Sequence, residues 1–117
     1  MKLSEITARL GLENLTPALS ASDDPDISRG YASDLLSDIL ANGPAGGVAV
    51  TIQAHMNTVA VALHARLAAV ILANGRRPDD EVIERAAEER IPLLLSEKGT
   101  FDVVGKLYEL GVRGEDV

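Results

Sequence analysis

Ala68-Ala69-Val70-Ile71-Leu72-Ala73 is an unbroken apolar run, and Asn74-Gly75 follows it at once. A run this short, bounded by turn residues, reads as a strand covered on both faces. The next segment, Pro78 with Asp79, Asp80 and Glu81, opens a helix that continues to about Arg90. Ile91 to Leu95 is a second buried strand, with Pro92 at its first positions. Upstream the same unit recurs. Gly47 to Gln53 alternates, with Val48, Val50 and Ile52 on one side and Ala49, Thr51 and Gln53 on the other. Asn57 is placed to cap a helix to about Leu67. Ile27 to Ala32 reads as a strand, and Ser33 as the cap of a helix through Ala41, with Asp34 near its positive end. Thr100 caps a last helix that Gly111 ends.

Strand and helix therefore alternate at least four times, at spacings of about twenty residues. Parallel strands joined by right-handed helical crossovers satisfy that pattern. The expectation is a single α/β domain over residues 1–117 with a mostly parallel sheet of four to five strands. The first residues add a short helix that Ser4 caps, with Ile6 and Leu10 on one face and Gly11 ending it. Leu12 to Leu15 suits a brief edge strand. Thr16 to Asp26, with two prolines and three aspartates, reads as a flexible loop.

Composition excludes several functions. The chain has 117 residues, with 11 basic against 18 acidic side chains and a net charge of −7. Aromatic residues make up 3%. An acidic surface with few rings repels phosphates and offers little stacking, so nucleic acid is not an expected partner. Cysteine is absent, which removes disulfides, zinc-thiolate sites and thiol catalysis. No apolar run reaches membrane-spanning length, and Met1 to Leu10 has no signal-peptide core. A cytoplasmic protein without a membrane partner is expected.

Ligands of open parallel sheets bind beyond the carboxyl ends of the strands. Those ends carry Ser33 and Asp34, His55 and Asn57, Asn74 with Arg76 and Arg77, and Thr100. Each precedes or opens a helix, where free amides and the helix dipole attract an anion. Arg76 and Arg77 suit a bidentate clamp. These eight residues form the candidate ligand-binding set; taken singly, each is better explained by ordinary capping and loop solubility, and it is their gathering at one edge that points to a site. His55 would need a partner to act as a general base, and His64, nine residues on, has the wrong spacing for a shared metal. Asp34 and Asp38 are one helical turn apart, but also suit the wet face opposite Leu35, Leu36 and Ile39. No metal, cofactor or catalytic residue is assigned. Gly43 to Gly47 lacks the Lys-Ser/Thr of a kinase P-loop and precedes a strand instead of following one.

Four stretches together resemble the DRTGG domain family. They are Gly30 to Asp38 (GYASDLLSD), Thr51 to Asn57 (TIQAHMN), Asn74 to Asp79 (NGRRPD) and Lys106 to Gly111 (KLYELG). The chain resembles the stand-alone members. Similar domains lie within phosphotransacetylases and CBS-domain pyrophosphatases, and the N-terminal domain of HPr kinase/phosphorylase is similar too. The resemblance implies an α/β fold, a homodimer, and a regulatory, ligand-sensing role without chemistry of its own. The ligand would be a small, anionic molecule or a partner enzyme. Two alternatives remain open at this point. One is a small enzyme acting on a phosphorylated substrate through His55 with Arg76 or Arg77. The other is a purely structural dimerisation domain.

The helix after Asn57 offers a dimer face. At about 100° per residue, Val59, Ala60, Leu63 and Leu67 line up to cover the sheet. Thr58, Val61, Ala62 and Ala65 gather on the other side, where a second copy would fit. Tyr108 and Leu110 on the last helix mark a second candidate surface.

Overall fold

The computed structural model describes residues 1–115, without the side chains of residues 20–22. Its core is a five-stranded sheet in the order β1-β5-β4-β3-β2. The strands are β1 (Glu13–Asn14), β2 (Gly30–Ala32), β3 (Val48–Thr51), β4 (Ala69–Leu72) and β5 (Leu93–Leu95). β2 to β5 are mutually parallel, and β1 runs antiparallel on β5 through Glu13 with Leu95 and Asn14 with Leu94. This is the mostly parallel α/β sheet that the sequence led us to expect.

The helices are α1 (Leu3–Leu10), α2 (Pro17–Ser22), α3 (Leu36–Asn42), α4 (Met56–Ala65), α5 (Asp80–Glu88) and α6 (Thr100–Glu109). The four parallel strands follow one another across the sheet in chain order. Right-handed crossovers that always step the same way must all lie on one face. They do: α3, α4 and α5 pack Ile39, Val59, Ala62, Val82 and Ala86 against Ala49, Val70, Leu72, Leu93 and Leu95. The other face is left to the helices near the two chain ends. There α1 and α6 bring Leu3, Ile6, Val103 and Leu107 onto Val48, Val50, Ala69, Ile71 and Leu94. Successive residues of β4 thus serve opposite layers, which is why its sequence has no polar position.

Several local expectations need correction. The stretch 16–26 is not a loop throughout: Pro17 occupies the first turn of α2, where its missing N–H costs nothing. Thr16 is buried, and its hydroxyl accepts the amide of Leu93 at 3.1 Å. Ser4 does not cap α1; Lys2 holds that position, and the Asp24 carboxylate accepts both the Ser4 amide and hydroxyl, at 2.8 and 2.5 Å. Those bonds hold the Asp24 carboxyl below the usual carboxylate range. Gly11 does end α1 in the left-handed conformation. β2 begins only at Gly30, because Ile27 donates its amide to Met1 instead of to a strand. Gly99, not Thr100, caps α6.

The faces of α4 are also rotated from the expected ones. Ala62 is fully buried and Thr58 is buried with it, whereas Leu63 is 44% exposed. Ala62 therefore meets the sheet and cannot be a dimer contact. The chain leaves α4 and α5 through Arg66 and Arg90, both left-handed, with φ of 58° and 59°.

Candidate functional site

The carboxyl ends of β2 and β3 are tied together by one side chain. Asp34 Oδ1 accepts the Ile52 amide at 2.9 Å and the Thr51 hydroxyl at 3.3 Å. The Gln53 side-chain amide returns a bond to the Asp34 carbonyl at 2.9 Å. Ser33 does not cap α3, which begins after Leu35; its hydroxyl accepts the Leu35 amide at 3.2 Å, a local turn before the helix. His55, not Asn57, caps α4: its Nδ1 accepts the Asn57 amide at 3.1 Å. An accepting Nδ1 leaves the neutral ring's proton on Nε2. Asn57 is exposed on the first turn.

A second cluster joins the ends of β4 and β5. Asn74, left-handed at φ 62°, donates its amide to the Lys98 carbonyl at 2.7 Å. Gly75 donates to the Ser96 carbonyl at 2.8 Å. Gly75 is left-handed, and a Cβ there would lie 2.7 Å from a Glu97 carboxylate oxygen. Arg76 is exposed. Arg77 reaches across to β1, with one guanidinium nitrogen 2.9 Å from both carboxylate oxygens of Glu13. Thr100 is the first residue of α6, half-buried.

The eight predicted residues thus share one edge of the sheet but fall into two groups, each with its own bonds. The link between them is backbone: the Ala73 amide donates to Thr51 at 3.0 Å. The topology provides no switch-point crevice between the two groups. Ligand crevices in such sheets form where successive crossovers leave toward opposite faces. Here all three crossovers cover the same face, so the strand order has no switch point among β2 to β5. Among the described residues, His55 bonds to the Asn57 amide and Arg77 to Glu13, and no acid–base pair forms between the histidine and the two arginines.

Asp34 and Asp38 do not converge either. Asp38 lies within α3 and accepts the Tyr31 hydroxyl at 2.7 Å and the Asn42 side-chain amide at 2.8 Å. The hydrogen bond from Tyr31, then that from Asn42, holds the Asp38 carboxyl below the usual range. The same bond raises Tyr31 above its ordinary value. Among the described residues, no three His, Asp or Glu side chains converge as a metal site.

One hollow lies beside β2, on the face of α1 and α6. A slot of about 150 Å³ runs between the outer strand and α6, floored by Val50 and Leu107 and walled by Val104, Tyr108 and Val112. The Arg113 guanidinium lies 3.8 Å from the centre of the Tyr108 ring and donates to the Tyr108 carbonyl at 2.7 Å. Sequence reasoning named Tyr108 only as a surface residue and missed Arg113. Its cation–π contact spans five residues across a helix end, and no periodicity reports it.

The family model of the DRTGG domain matches residues 38–110. The chain belongs to the DRTGG domain family. The match starts within α3 and ends just after α6, so it takes in β3, β4, β5 and both strand-end clusters except Ser33 and Asp34. Among solved structures, the chain is similar to the CBS and DRTGG domains of the regulatory region of Clostridium perfringens pyrophosphatase, complexed with its activator diadenosine tetraphosphate. The TM-score is 0.68 at 15% identity, covering 90% of this chain and 45% of that one. The DRTGG chain described here thus spans a little under half the length of that regulatory region. No curated protein matches it. No helix among the described residues is long and apolar enough to cross a membrane.

Proposed function

We propose that this DRTGG domain is a cytoplasmic, homodimeric regulatory module that senses a small, anionic ligand or a partner enzyme and carries out no reaction itself. The observation that supports this reading most is the similarity of fold to a domain of a pyrophosphatase regulatory region solved with a nucleotide activator. The chemistry of the strand ends agrees with it. His55 is engaged as a helix cap and Arg77 as the ion-pair partner of Glu13. Both side chains thus serve to position the backbone at the strand ends. Arg76 adds an exposed cation to this edge, next to the left-handed Asn74-Gly75 turn.

A ligand that binds only the folded state raises stability by RT ln(1 + [L]/Kd), about 2.7 kcal/mol at a hundredfold excess over Kd. Thermal melts with ATP, diadenosine tetraphosphate, acetyl phosphate and glucose 6-phosphate test the reading. At least one should raise Tm, with no turnover of that compound. Titration calorimetry of Arg76→Ala with Arg77→Ala should then show weaker binding of the same compound with the fold intact. Equal affinities would remove both arginines from the site. Turnover that disappears in His55→Ala would replace the regulatory reading with an enzymatic one.

A further inference from the structure

The exposed side of α6 carries three of the large apolar side chains left at the described surface. Phe101 is 90% exposed and Tyr108 58%, and Val104 lies between them with Gly105. Phe101, Val104, Gly105 and Tyr108 have the spacing of one helical stripe. Soluble proteins seldom leave such a patch wet without a partner for it.

Gly105 is the telling residue. It sits in the interior of α6, where glycine weakens a helix. Nothing in its own chain asks for it: a Cβ built there meets no atom within 4 Å. A glycine facing open space on an apolar stripe lets a second backbone come close.

The stripe also reads the same in both directions. About a point between Val104 and Gly105, Phe101 changes places with Tyr108, and Val104 with Gly105. Two copies of α6 laid antiparallel across a two-fold axis set Phe101 of each against Tyr108 of the other, the self-complementary contact of an isologous dimer. Charge selects this orientation. Antiparallel packing places Glu109, at the end of one helix, near Lys98, just before the start of the other. Parallel packing places each of these beside its own copy. Lys98 forms no ion pair among the described residues, and Glu109, which pairs with Lys106 of its own helix at 3.5 Å, is 70% exposed and open to a second cation.

We propose that α6 is the dimer face of this chain and that its occupant is a second copy, packed antiparallel about Gly105. The inference rests on the homodimer of the preceding reading and adds its location. It also gives the slot beside β2 a second wall, because Val104 and Tyr108 belong to both.

Sedimentation equilibrium on the full chain tests it, with wild type, Phe101→Glu, Gly105→Leu and, on the α3–α4 side, Leu40→Glu. Phe101 and Gly105 touch little in their own chain, so both variants should melt as cooperatively as wild type. The expected result is a dimer for wild type and Leu40→Glu, and at least a tenfold weaker dimer for Phe101→Glu and Gly105→Leu. Lys98→Glu should weaken the dimer, and Lys98→Glu with Glu109→Lys should restore it. A monomeric wild type would overturn both the homodimer and this face. A dimer unchanged by Phe101→Glu and Gly105→Leu would keep the homodimer and overturn α6 as its site.

Discussion

The two sides of the sheet are covered in different ways. On one side three crossover helices, α3, α4 and α5, lie over four parallel strands. On the other, α1 and α6 arrive from distant parts of the chain and share the same area. Crossover helices are delivered in register by the strands they connect. The terminal helices have no such constraint, and two of them leave the β2 side thinly covered. The slot beside β2 and the bare stripe on α6 are both on that side. A fold whose strands follow in chain order therefore concentrates its free surface on the face that the crossovers do not use.

The sharpest test of this contrast sets Ala62 against Leu63. Ala62→Glu puts a carboxylate into the crossover layer, where it has neither water nor a partner. A loss above about 3 kcal/mol is expected, enough to leave a marginal domain largely unfolded. Leu63→Glu, one residue along and half out of the core, should change stability by less than about 1 kcal/mol. Circular dichroism of both variants decides. A folded Ala62→Glu would mean that α4 sits with its faces exchanged.

Next comes the centre of the sheet. Ile71 faces α1 and α6, and Leu72 faces the crossovers; both are fully buried. Each change to Ala should cost about 2–5 kcal/mol by urea unfolding. Similar losses would show that the thin cover is confined to the β2 side. A clearly smaller loss at Ile71 would extend it to the whole face.

The smallest expected effect concerns how β2 is held on its crossover side. Asp38 is kept ionised by Tyr31 and Asn42, so its native pKa lies below the unfolded value. The unfolded chain then binds the proton first. The stability Asp38 contributes is present above the unfolded pKa and is lost as pH falls toward the native one. Asp38→Asn keeps an acceptor for Tyr31 but removes this dependence, so its stability against pH should be flatter in that acid range. Asp24, bonded to Ser4 near the start of α1, acts in the same direction and leaves a residual slope.

The parallel core was legible because apolar runs such as Ala68 to Ala73, flanked by turns, have few other uses. The edge strand at Leu12 to Leu15 and the left-handed Gly11 were legible for similarly local reasons. What escaped depended on partners far along the chain. Asp24 reaches back to Ser4, Thr16 across to Leu93, and Ile27 to Met1. Those contacts shortened β2 and fixed the start of α1, and no window of neighbouring residues contains them. The faces of α4 were misassigned for another reason. Ten residues that are nearly all apolar or small give its stripe almost no contrast. At the strand ends the residue types were found, but their hydrogen bonds were not. The absence of a switch point follows from strand order, which composition does not encode.

Arg66 and Arg90 end two of the crossover helices in a backbone conformation that costs an ordinary residue about 1 kcal/mol or more. Glycine adopts it freely. Two arginines in those places carry a local backbone cost that glycine would not. An engineer seeking a hardier scaffold could begin there, with single exchanges remote from both the strand ends and α6. Natural proteins need only exceed the stability their function requires, and these helix ends are where this one has stopped short of its optimum.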